Sequence, residues 1–558
     1  MIKHSGPISG VSTSRGRYVA TAGYDNQVIL WDAGPGRSTA RGVHDHLANQ
    51  CQFNRGGDLL VSASSDYTAR IWEVPTMRLR AVCGDHRDDV EMAIFLDEAE
   101  MVVTCSRDYK IRSFGLDGAL LNVFEGHEAD VISVVWEPKT GTLVSSSDDG
   151  TVRRWDPRTG SLLNTVDLDN VETDTVVITD RGVILAGNDD GEIVTVSPSA
   201  GRVQAHEAGI KRLVWSQATG LLVSMSYDRQ AAFWSVEEDG TLRERSRSQI
   251  PAVVWPRSCA FLDSRRLVTA TFGSTFASYD LRSREWDTSN VEAPAGVNAV
   301  RVVEGVEYTV GDAGVVMADG RPLASMGSLC NFLLPVGQRL VTGGQLGQLF
   351  DAKTGKVLYQ HRSPLNCGAA FIRNGEPHAV IGTYTGEGLI FRLGAEGLRY
   401  LATVQLDSNA IKGVACSSSK IFAVCATADV SFHSIENFSC LARITRAHSR
   451  IANGCTALGE SGFASVGRDL KLRIWSGGES VIHDTPHKNS IKCVSASSDG
   501  RWIATGSYGG MVAIFDVAAE DWCHVSRPTA AGVSSIAAVA GSEFAASSYD
   551  GEIYRVSV

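Results

Sequence analysis

A local pattern recurs along this chain about every 41 residues, and it restricts the possible folds more than any other feature. The segments 61–72, 144–155 and 223–234 each contain a run of small residues, an Asp, and an aromatic residue six positions after that Asp. Following the aromatic position along the chain gives fourteen copies: Trp31, Trp72, Phe114, Trp155, Val196, Trp234, Tyr279, Ala318, Phe350, Phe391, Phe432, Trp475, Phe515 and Val556. A period sustained over so many copies indicates one structural unit repeated along the chain.

Each period predicts a small antiparallel sheet. Segments such as 130–135 are rich in β-branched residues, which suit strands. Asp-Gly, Asp-Tyr and Gly-Gly pairs between them supply turn conformations. Four short strands in about 41 residues make one blade of a β-propeller. We therefore predict an all-β chain of four-stranded antiparallel blades.

The number of copies predicts two domains. Single propellers usually have about four to eight blades, so fourteen copies indicate two seven-bladed β-propellers in tandem. The period is most disturbed at Tyr279 and Ala318, and the interval after Ala318 is only 32 residues. We place the N-terminal propeller at 1–290 and the C-terminal propeller at 291–558. The pattern leaves open whether the last blade has three strands or is closed by strand exchange between the rings.

Composition narrows the range of partners. The 558 residues include 52 basic and 63 acidic side chains, a net charge of −11, so the chain has no general attraction for nucleic acids or anionic membranes. No apolar run reaches the roughly 20 residues that span a bilayer. The 12 Cys residues form no C-x-x-C pair, and the N-terminal segment lacks the apolar stretch of a secretory signal. We expect a cytoplasmic protein. Only 11 of the 52 basic residues are Lys, a bias that favours a bacterial source.

Two dipeptide patterns accompany the period. Trp31-Asp32 and Trp155-Asp156 end their copies, and Gly126-His127 lies 28 residues before Trp155. These motifs resemble the WD-repeat family, and the resemblance covers essentially the whole chain. In that family a His, a turn Asp, a strand Ser or Thr and the Trp form a buried hydrogen-bonded tetrad. For the fourth copy the resemblance implies the tetrad His127, Ser145, Asp149 and Trp155.

The sequence does not favour an enzyme. A His–Asp–Ser grouping that recurs in copy after copy is typical of a structural contact, since a nucleophile site occurs once. The chain has no G-x-x-x-x-G-K-[ST] loop, no H-E-x-x-H and no G-x-S-x-G motif. The doubled carboxylates 148–149 and 189–190 are candidates for a channel site, but the turn uses the second Asp of each, and the two that are left are too few for a calcium or catalytic site. We expect no catalytic residues, metal, cofactor or small-molecule substrate.

The residue before each turn Asp, or its equivalent, is predicted to project from one face of each ring. Tyr and Arg are enriched among residues that dominate protein interfaces, whereas turns otherwise favour small polar residues. The residues predicted to bind partners are Tyr24, Arg107, Asp148, Asp189, Tyr227 and Phe272 in the first ring, and Tyr384, Arg468, Tyr508 and Tyr549 in the second. Packing of the Tyr side chains against a neighbouring blade is the competing interpretation. The acidic turns of the first ring suit a partner that carries Lys or Arg.

WD-repeat proteins, by this resemblance, hold peptides or folded proteins within larger assemblies. We therefore predict a non-enzymatic interaction scaffold, a subunit that assembles or regulates a multiprotein complex, with a bacterial signalling or defence complex as one form. The alternatives are a double propeller associated with actin filaments and a propeller hydrolase with a metal in its channel. The Arg-rich segment 242–247 is interpreted as a solvated edge strand and not as a nucleic-acid site.

Overall fold

The computed structural model describes residues 2–14, 16–34, 36–96 and 100–558. All regular elements in these ranges are β-strands, arranged as fourteen antiparallel sheets of consecutive strands. Thirteen sheets have four strands and the last has three. The predicted all-β fold of two seven-bladed propellers is therefore confirmed. Within the described ranges, no helix is long and apolar enough to span a membrane.

The chain divides into two compact units, Met1–Pro294 and Ala295–Val558. The placement of two independent domains at 1–290 and 291–558 stays a prediction. Blades 1 to 4 of the first unit contain β1 (Ile8–Ser14), β2 (Tyr18–Gly23), β3 (Gln27–Asp32), β4 (Arg37–Val43); β5 (Ala48–Phe53), β6 (Leu59–Ser64), β7 (Ala69–Glu73), β8 (Arg78–Cys83); β9 (Val90–Leu96), β10 (Met101–Ser106), β11 (Ile111–Gly115), β12 (Leu120–Phe124); β13 (Val131–Glu137), β14 (Thr142–Ser147), β15 (Thr151–Trp155) and β16 (Leu162–Asp167). Blades 5 to 7 contain β17 (Thr175–Ile178), β18 (Ile184–Gly187), β19 (Glu192–Ser197), β20 (Gly201–Gln204); β21 (Ile210–Ser216), β22 (Leu221–Ser226), β23 (Gln230–Val236), β24 (Leu242–Gln249); β25 (Val254–Phe261), β26 (Arg266–Thr271), β27 (Ala277–Asp280) and β28 (Glu285–Asp287).

The second unit repeats this arrangement. Blades 8 to 11 contain β29 (Val297–Val303), β30 (Val306–Gly311), β31 (Val315–Ala318), β32 (Arg321–Ser325); β33 (Cys330–Val336), β34 (Arg339–Gly344), β35 (Gln348–Asp351), β36 (Val357–Gln360); β37 (Leu365–Arg373), β38 (Glu376–Thr383), β39 (Glu387–Gly394), β40 (Gly397–Gln405); β41 (Ile411–Cys416), β42 (Lys420–Cys425), β43 (Val430–Ser434) and β44 (Cys440–Ile444). Blades 12 to 14 contain β45 (Ala452–Leu458), β46 (Gly462–Gly467), β47 (Lys471–Ser476), β48 (Glu479–Asp484); β49 (Ile491–Ala496), β50 (Trp502–Ser507), β51 (Val512–Asp516), β52 (Asp521–Ser526); β53 (Val533–Ala540), β54 (Glu543–Ser548) and β55 (Ile553–Val556).

The core lies between neighbouring blades. The first strand of each blade packs against the first strands of its neighbours, so these strands surround the channel of each ring. The second strands are almost fully buried, whereas outer strands such as β16 are largely exposed. Between blades 2 and 3, Val61 and Ile71 pack with Val102 and Phe114. Burying these apolar faces stabilises the ring by about 25 cal/mol per Å² removed from water.

Each ring closes by packing of its last blade against its first, with no strand shared across the junction in the described residues. In the first ring, Val11 N donates to Ser258 Oγ at 3.0 Å, and Thr13 Oγ1 donates to the Phe261 carbonyl at 2.7 Å. In the second ring, Ser534 Oγ donates to the Val297 carbonyl. The alternative that the sequence left open is thus resolved as a three-stranded last blade, without exchange.

Most first strands contain a β-bulge near the start. At a bulge one residue is left out of the ladder and its side chain is redirected. In twelve blades the residue left out is evident from the register: Ser9, Asn49, Glu91, Ile132, Lys211, Asn298, Asn331, Asn366, Lys412, Asn453, Lys492 and Ser534. We call these twelve residues the bulge residues.

Candidate partner-binding face

The fourth blade contains a buried chain of hydrogen bonds. His127 Nδ1 lies 2.7 Å from Asp149 Oδ2, and His127 Nε2 lies 2.8 Å from Ser145 Oγ. Trp155 Nε1 donates to the same Ser145 Oγ at 2.8 Å. Burial lowers the pKa of His127, so its ring is neutral near pH 7 and donates through Nδ1–H. Burial alone would raise the pKa of Asp149, but the hydrogen bond from His127 holds it below its usual range.

The same tetrad recurs in four other blades, starting at His4, His44, His206 and His448. Two more blades carry a partial version that ends on Phe in place of Trp. A hydrogen-bonded His, Asp and Ser that recurs in this way joins the strands of a blade and leaves the Ser oxygen occupied by Trp. The geometry therefore describes a structural contact.

Charged side chains from five blades meet in the first propeller. We name as the charged cluster the five carboxylates and three cations Glu91, Arg107, Asp130, Asp148, Asp174, Asp189, Lys211 and Arg257. Arg107 forms ion pairs with Glu91 and Asp130, and Lys211 forms ion pairs with Asp174 and Asp189. Arg257 Nη2 lies 2.9 Å from Glu91 Oε2. The predicted residues Arg107, Asp148 and Asp189 thus lie within one cluster.

The carboxylates of this cluster outnumber its cations, and their pKa values shift in both directions. Against the effect of burial, neighbouring cations lower the pKa values of Glu91 and Asp174, whereas those of the other three carboxylates are raised. Burial raises the pKa of Asp130 to about 6 although Arg107 acts in the opposite direction. Burial likewise raises the pKa of Asp189 to about 6 against the effect of Lys211. For Asp148, burial and then the neighbouring carboxylates, Glu172 first among them, raise the pKa well above its usual range. Asp148 therefore lies where an added positive charge would be favourable.

Aromatic residues border the charged cluster. Tyr24 meets Trp255 edge to face, with ring centroids 5.2 Å apart, and Phe272 stacks on Trp255 with centroids 5.2 Å apart. Lys211 Nζ lies 5.2 Å from the centre of the Tyr227 ring. Phe272 is only 5% exposed, so the expectation that it projects from the face is wrong. It is buried because Trp255, from the irregular start of β25, covers it.

In the second propeller, the predicted residues lie beside cationic groups. Tyr508 and Tyr549 stack with centroids 6.2 Å apart, and Lys492 Nζ lies 5.9 Å from the centre of the Tyr508 ring. Lys412 Nζ lies 5.2 Å from the Tyr384 ring. Arg468 occupies the turn between β46 and β47. A partner-binding role for the predicted residues of both rings, other than the buried Phe272, stays a prediction.

Comparison with known proteins agrees with this geometry. The family model for the WD domain, G-beta repeat, matches residues 1–32, 41–73, 118–156 and 478–516. The chain is 28% identical over 221 residues to WD repeat-containing protein 37 of Xenopus laevis, covering 37% of this chain and 44% of that protein.

The chain contains WD repeats, and the family model matches four segments of it.

Other relatives are subunits or regulators by name. This WD-repeat protein is 24% identical over 225 residues to the transcriptional corepressor LEUNIG_HOMOLOG of Arabidopsis thaliana, covering 39% of this chain and 28% of that protein. It is 28% identical over 145 residues to transcription initiation factor TFIID subunit 5 of Caenorhabditis elegans, covering 25% of this chain and 22% of that protein. The matched region spans less than half the length of each of these relatives.

Sequence reasoning missed the charged bulge residues of this WD-repeat protein. Glu91 and Lys211 contribute to the charged cluster, yet neither belongs to the turns from which binding residues were predicted. A signal was present, since both lie five residues after the His of their blade. Within the described ranges, no group of three or more His, Cys, Asp or Glu side chains is arranged to hold a metal ion.

Proposed function

We propose that this WD-repeat protein is a non-enzymatic scaffold, and that the charged cluster of the first propeller binds a partner segment carrying Lys or Arg. Proteins built from WD repeats generally act as interaction scaffolds within complexes, and two relatives are by name a corepressor and a TFIID subunit. A bacterial signalling or defence complex is the form of assembly that the Arg bias favours.

The observation that carries the proposal is the environment of Asp148. Its side chain is half-buried, and Glu172, Asp130 and Asp174 all act to raise its pKa while Arg107 alone among the main causes lowers it. A cation from a partner would relieve this repulsion, and Tyr24 and Tyr227 border the same cluster. Complementary charge of this kind contributes to specificity and to the rate of association.

The test compares partners captured from native lysate by the full chain and by charge variants at Asp148. Asp148→Asn removes one negative charge, and Asp148→Lys places a cation within the cluster itself. We expect both variants to lose the partner that depends on this face, with Asp148→Lys losing more, because its ammonium group would occupy the position of the partner's cation. Capture of that partner should also weaken as salt is raised.

Asp312→Asn is the matched control, since Asp312 is also a buried turn carboxylate but belongs to the second propeller. It should leave capture unchanged. Thermal unfolding of each variant shows whether the fold is intact, and Asp148→Asn should melt no lower than wild type. Identical capture by wild type and both Asp148 variants would contradict the proposal.

A further inference from the structure

The channel of the second propeller contains a cavity of about 180 Å³. All seven blades contribute their bulge residue to its lining: Asn298, Asn331, Asn366, Lys412, Asn453, Lys492 and Ser534. A space of this size holds several water molecules or one small ligand. We call it the channel cavity.

Five of these seven bulge residues are used to join neighbouring blades. Asn331, Asn366 and Asn453 each donate a side-chain hydrogen bond to a carbonyl at the start of the next blade, at 2.9, 2.7 and 2.8 Å. Asn298 donates to the Cys330 carbonyl in the same way, and Ser534 donates across the closure of the ring. Lys492 departs from this pattern, because it makes no such contact and its ammonium group lies near the Tyr508 ring.

The lining is cationic. Arg301, Lys412 and Lys492 all contribute to it, and no Asp or Glu is among the described residues that line the cavity. Arg301 Nη1 donates to the carbonyl of its own neighbour Val300 at 2.9 Å, and no carboxylate in the described ranges forms an ion pair with Arg301 or Lys492. Burial lowers the pKa of Arg301, as expected for a cation without a counter-charge. Asp312 is not among the described residues that line the cavity, and its Oδ1 accepts a hydrogen bond from the lining residue Asn298 at 2.9 Å.

The two propellers therefore differ in channel chemistry. In the first, the half-buried cations Arg107, Lys211 and Arg257 are each paired with carboxylates. In the second, no carboxylate of the described residues forms an ion pair with the lining cations Arg301 and Lys492. Burying like charges in this way is unfavourable unless an anion is bound.

We propose that the channel cavity binds a phosphate group, either as inorganic phosphate or as the head of a small phosphate ester. The guanidinium of Arg301 offers a planar set of donors suited to phosphate oxygens, and Lys492 supplies a point charge. Tyr549 also lines the cavity, and burial raises the pKa of its hydroxyl, which therefore stays protonated and able to donate. A phosphate dianion balances the charges of both Arg301 and Lys492, whereas a carboxylate balances only one of them.

The test is calorimetric titration of the full chain with inorganic phosphate, with glycerol 3-phosphate and with acetate, at fixed pH and ionic strength. We expect saturable binding of a phosphate compound at one site per chain and weaker binding of acetate. Tighter binding of glycerol 3-phosphate would assign the site to esters, and tighter binding of inorganic phosphate would assign it to the free ion. Absence of saturation by both phosphate compounds up to about 10 mM would overturn the proposal.

Variants locate the site. Arg301→Met and Lys492→Met should each weaken phosphate binding about tenfold or more, the usual effect of removing a charged hydrogen bond. Arg301→Lys keeps a cation and should retain binding, which separates loss of charge from loss of fold. The matched control is Arg212→Met. It removes a half-buried arginine of the first propeller whose buried Nε has no hydrogen-bond partner, and this variant should bind phosphate like wild type. Equal affinity of wild type and Arg301→Met, or equal weakening by Arg212→Met, would also overturn the proposal.

Discussion

Replacing Asp312 by Asn is expected to stabilise the second propeller at alkaline pH. Asp312 is 6% exposed, and its Oδ1 accepts a hydrogen bond from Asn298 at 2.9 Å. Its Oδ2 is buried without a hydrogen-bond partner. Burial therefore raises the pKa of this carboxyl from 3.8 to about 7. The Asn side chain keeps the oxygen that Asn298 contacts and removes the charge that is poorly solvated.

The size of the effect follows from linkage. The pKa of Asp312 rises by about 3 units on folding, and at about 1.36 kcal/mol per unit this amounts to roughly 4 kcal/mol as an upper bound. Between pH 3.8 and about 7 the folded state binds the proton more tightly than the unfolded state, so stability falls as pH rises through this window and is constant above it. The Asp312→Asn variant does not lose stability as the pH rises through this window, because its side chain carries no charge.

The assay is native-state hydrogen exchange of the amides in β29 and β30, which flank this site. At pH 8, Asp312→Asn should exchange more slowly than wild type, up to a factor of about 1,000 for the full 4 kcal/mol. Near pH 4 the two proteins should exchange at the same rate, because the wild-type carboxyl is then neutral. Glu479→Gln, an exposed carboxylate of the same propeller, should change neither rate. Equal exchange of wild type and Asp312→Asn at pH 8, or a difference that persists at pH 4, would refute the reasoning.

Two further predictions concern the tetrad positions. Ser465→Ala should lower the free energy of unfolding in urea by about 2–3 kcal/mol, because it leaves both His448 Nε2 and Trp475 Nε1 buried without a partner. Trp475→Phe should lower it by only about 1 kcal/mol. Equal losses for the two variants would contradict the shared hydrogen bond. His487 has no partner at Nδ1, and burial lowers its pKa from 6.5 to about 4, so stability should fall by up to about 3 kcal/mol as pH drops through this range. Gly509→Asp restores the turn carboxylate and should raise the His487 pKa, measured by NMR titration of the imidazole; an unchanged pKa would show that the carboxylate does not reach the ring.

The repeated elements of the fold could be predicted because their residues recur at fixed spacing. Each complete tetrad has a His, a Ser or Thr, an Asp and a Trp in the same order, so the resemblance to the WD-repeat family correctly implied the roles of His127 and Trp155. The turn residue Arg107 was also identified, since its position follows from the Asp after it. Its ion pairs with Glu91 and Asp130 could not be predicted. The bulge in β9 directs the Glu91 side chain toward Arg107, and Asp130 lies at the start of the next blade.

The charge of each channel could not be predicted, because the residue type at the bulge position differs from blade to blade. The bulge position carries Ser, Asn, Glu, Ile or Lys in different blades. The charge of a channel depends on the side chains that all seven blades contribute. The location of the bulge residue does follow from the sequence, since Asn49 lies five residues after His44 and Lys492 lies five residues after His487. Phe272 was misplaced for a different reason, because the Trp255 ring that covers it comes from a strand with irregular pairing.

The junction between the last and first blades has a mechanical consequence. In the first propeller it consists of contacts such as Trp31 against Phe276 and the hydrogen bond from Thr13, and in the second it includes the ion pair between Arg555 and Glu307. In the described residues no ladder of strand hydrogen bonds crosses either junction. Tension applied to the two ends of a ring is therefore resisted there by side chains and by isolated backbone hydrogen bonds, such as that from His4 N to the Ser274 carbonyl at 3.0 Å. Each ring should therefore open first at the junction between its last and first blades, with every sheet still intact. The blades should then detach one after another.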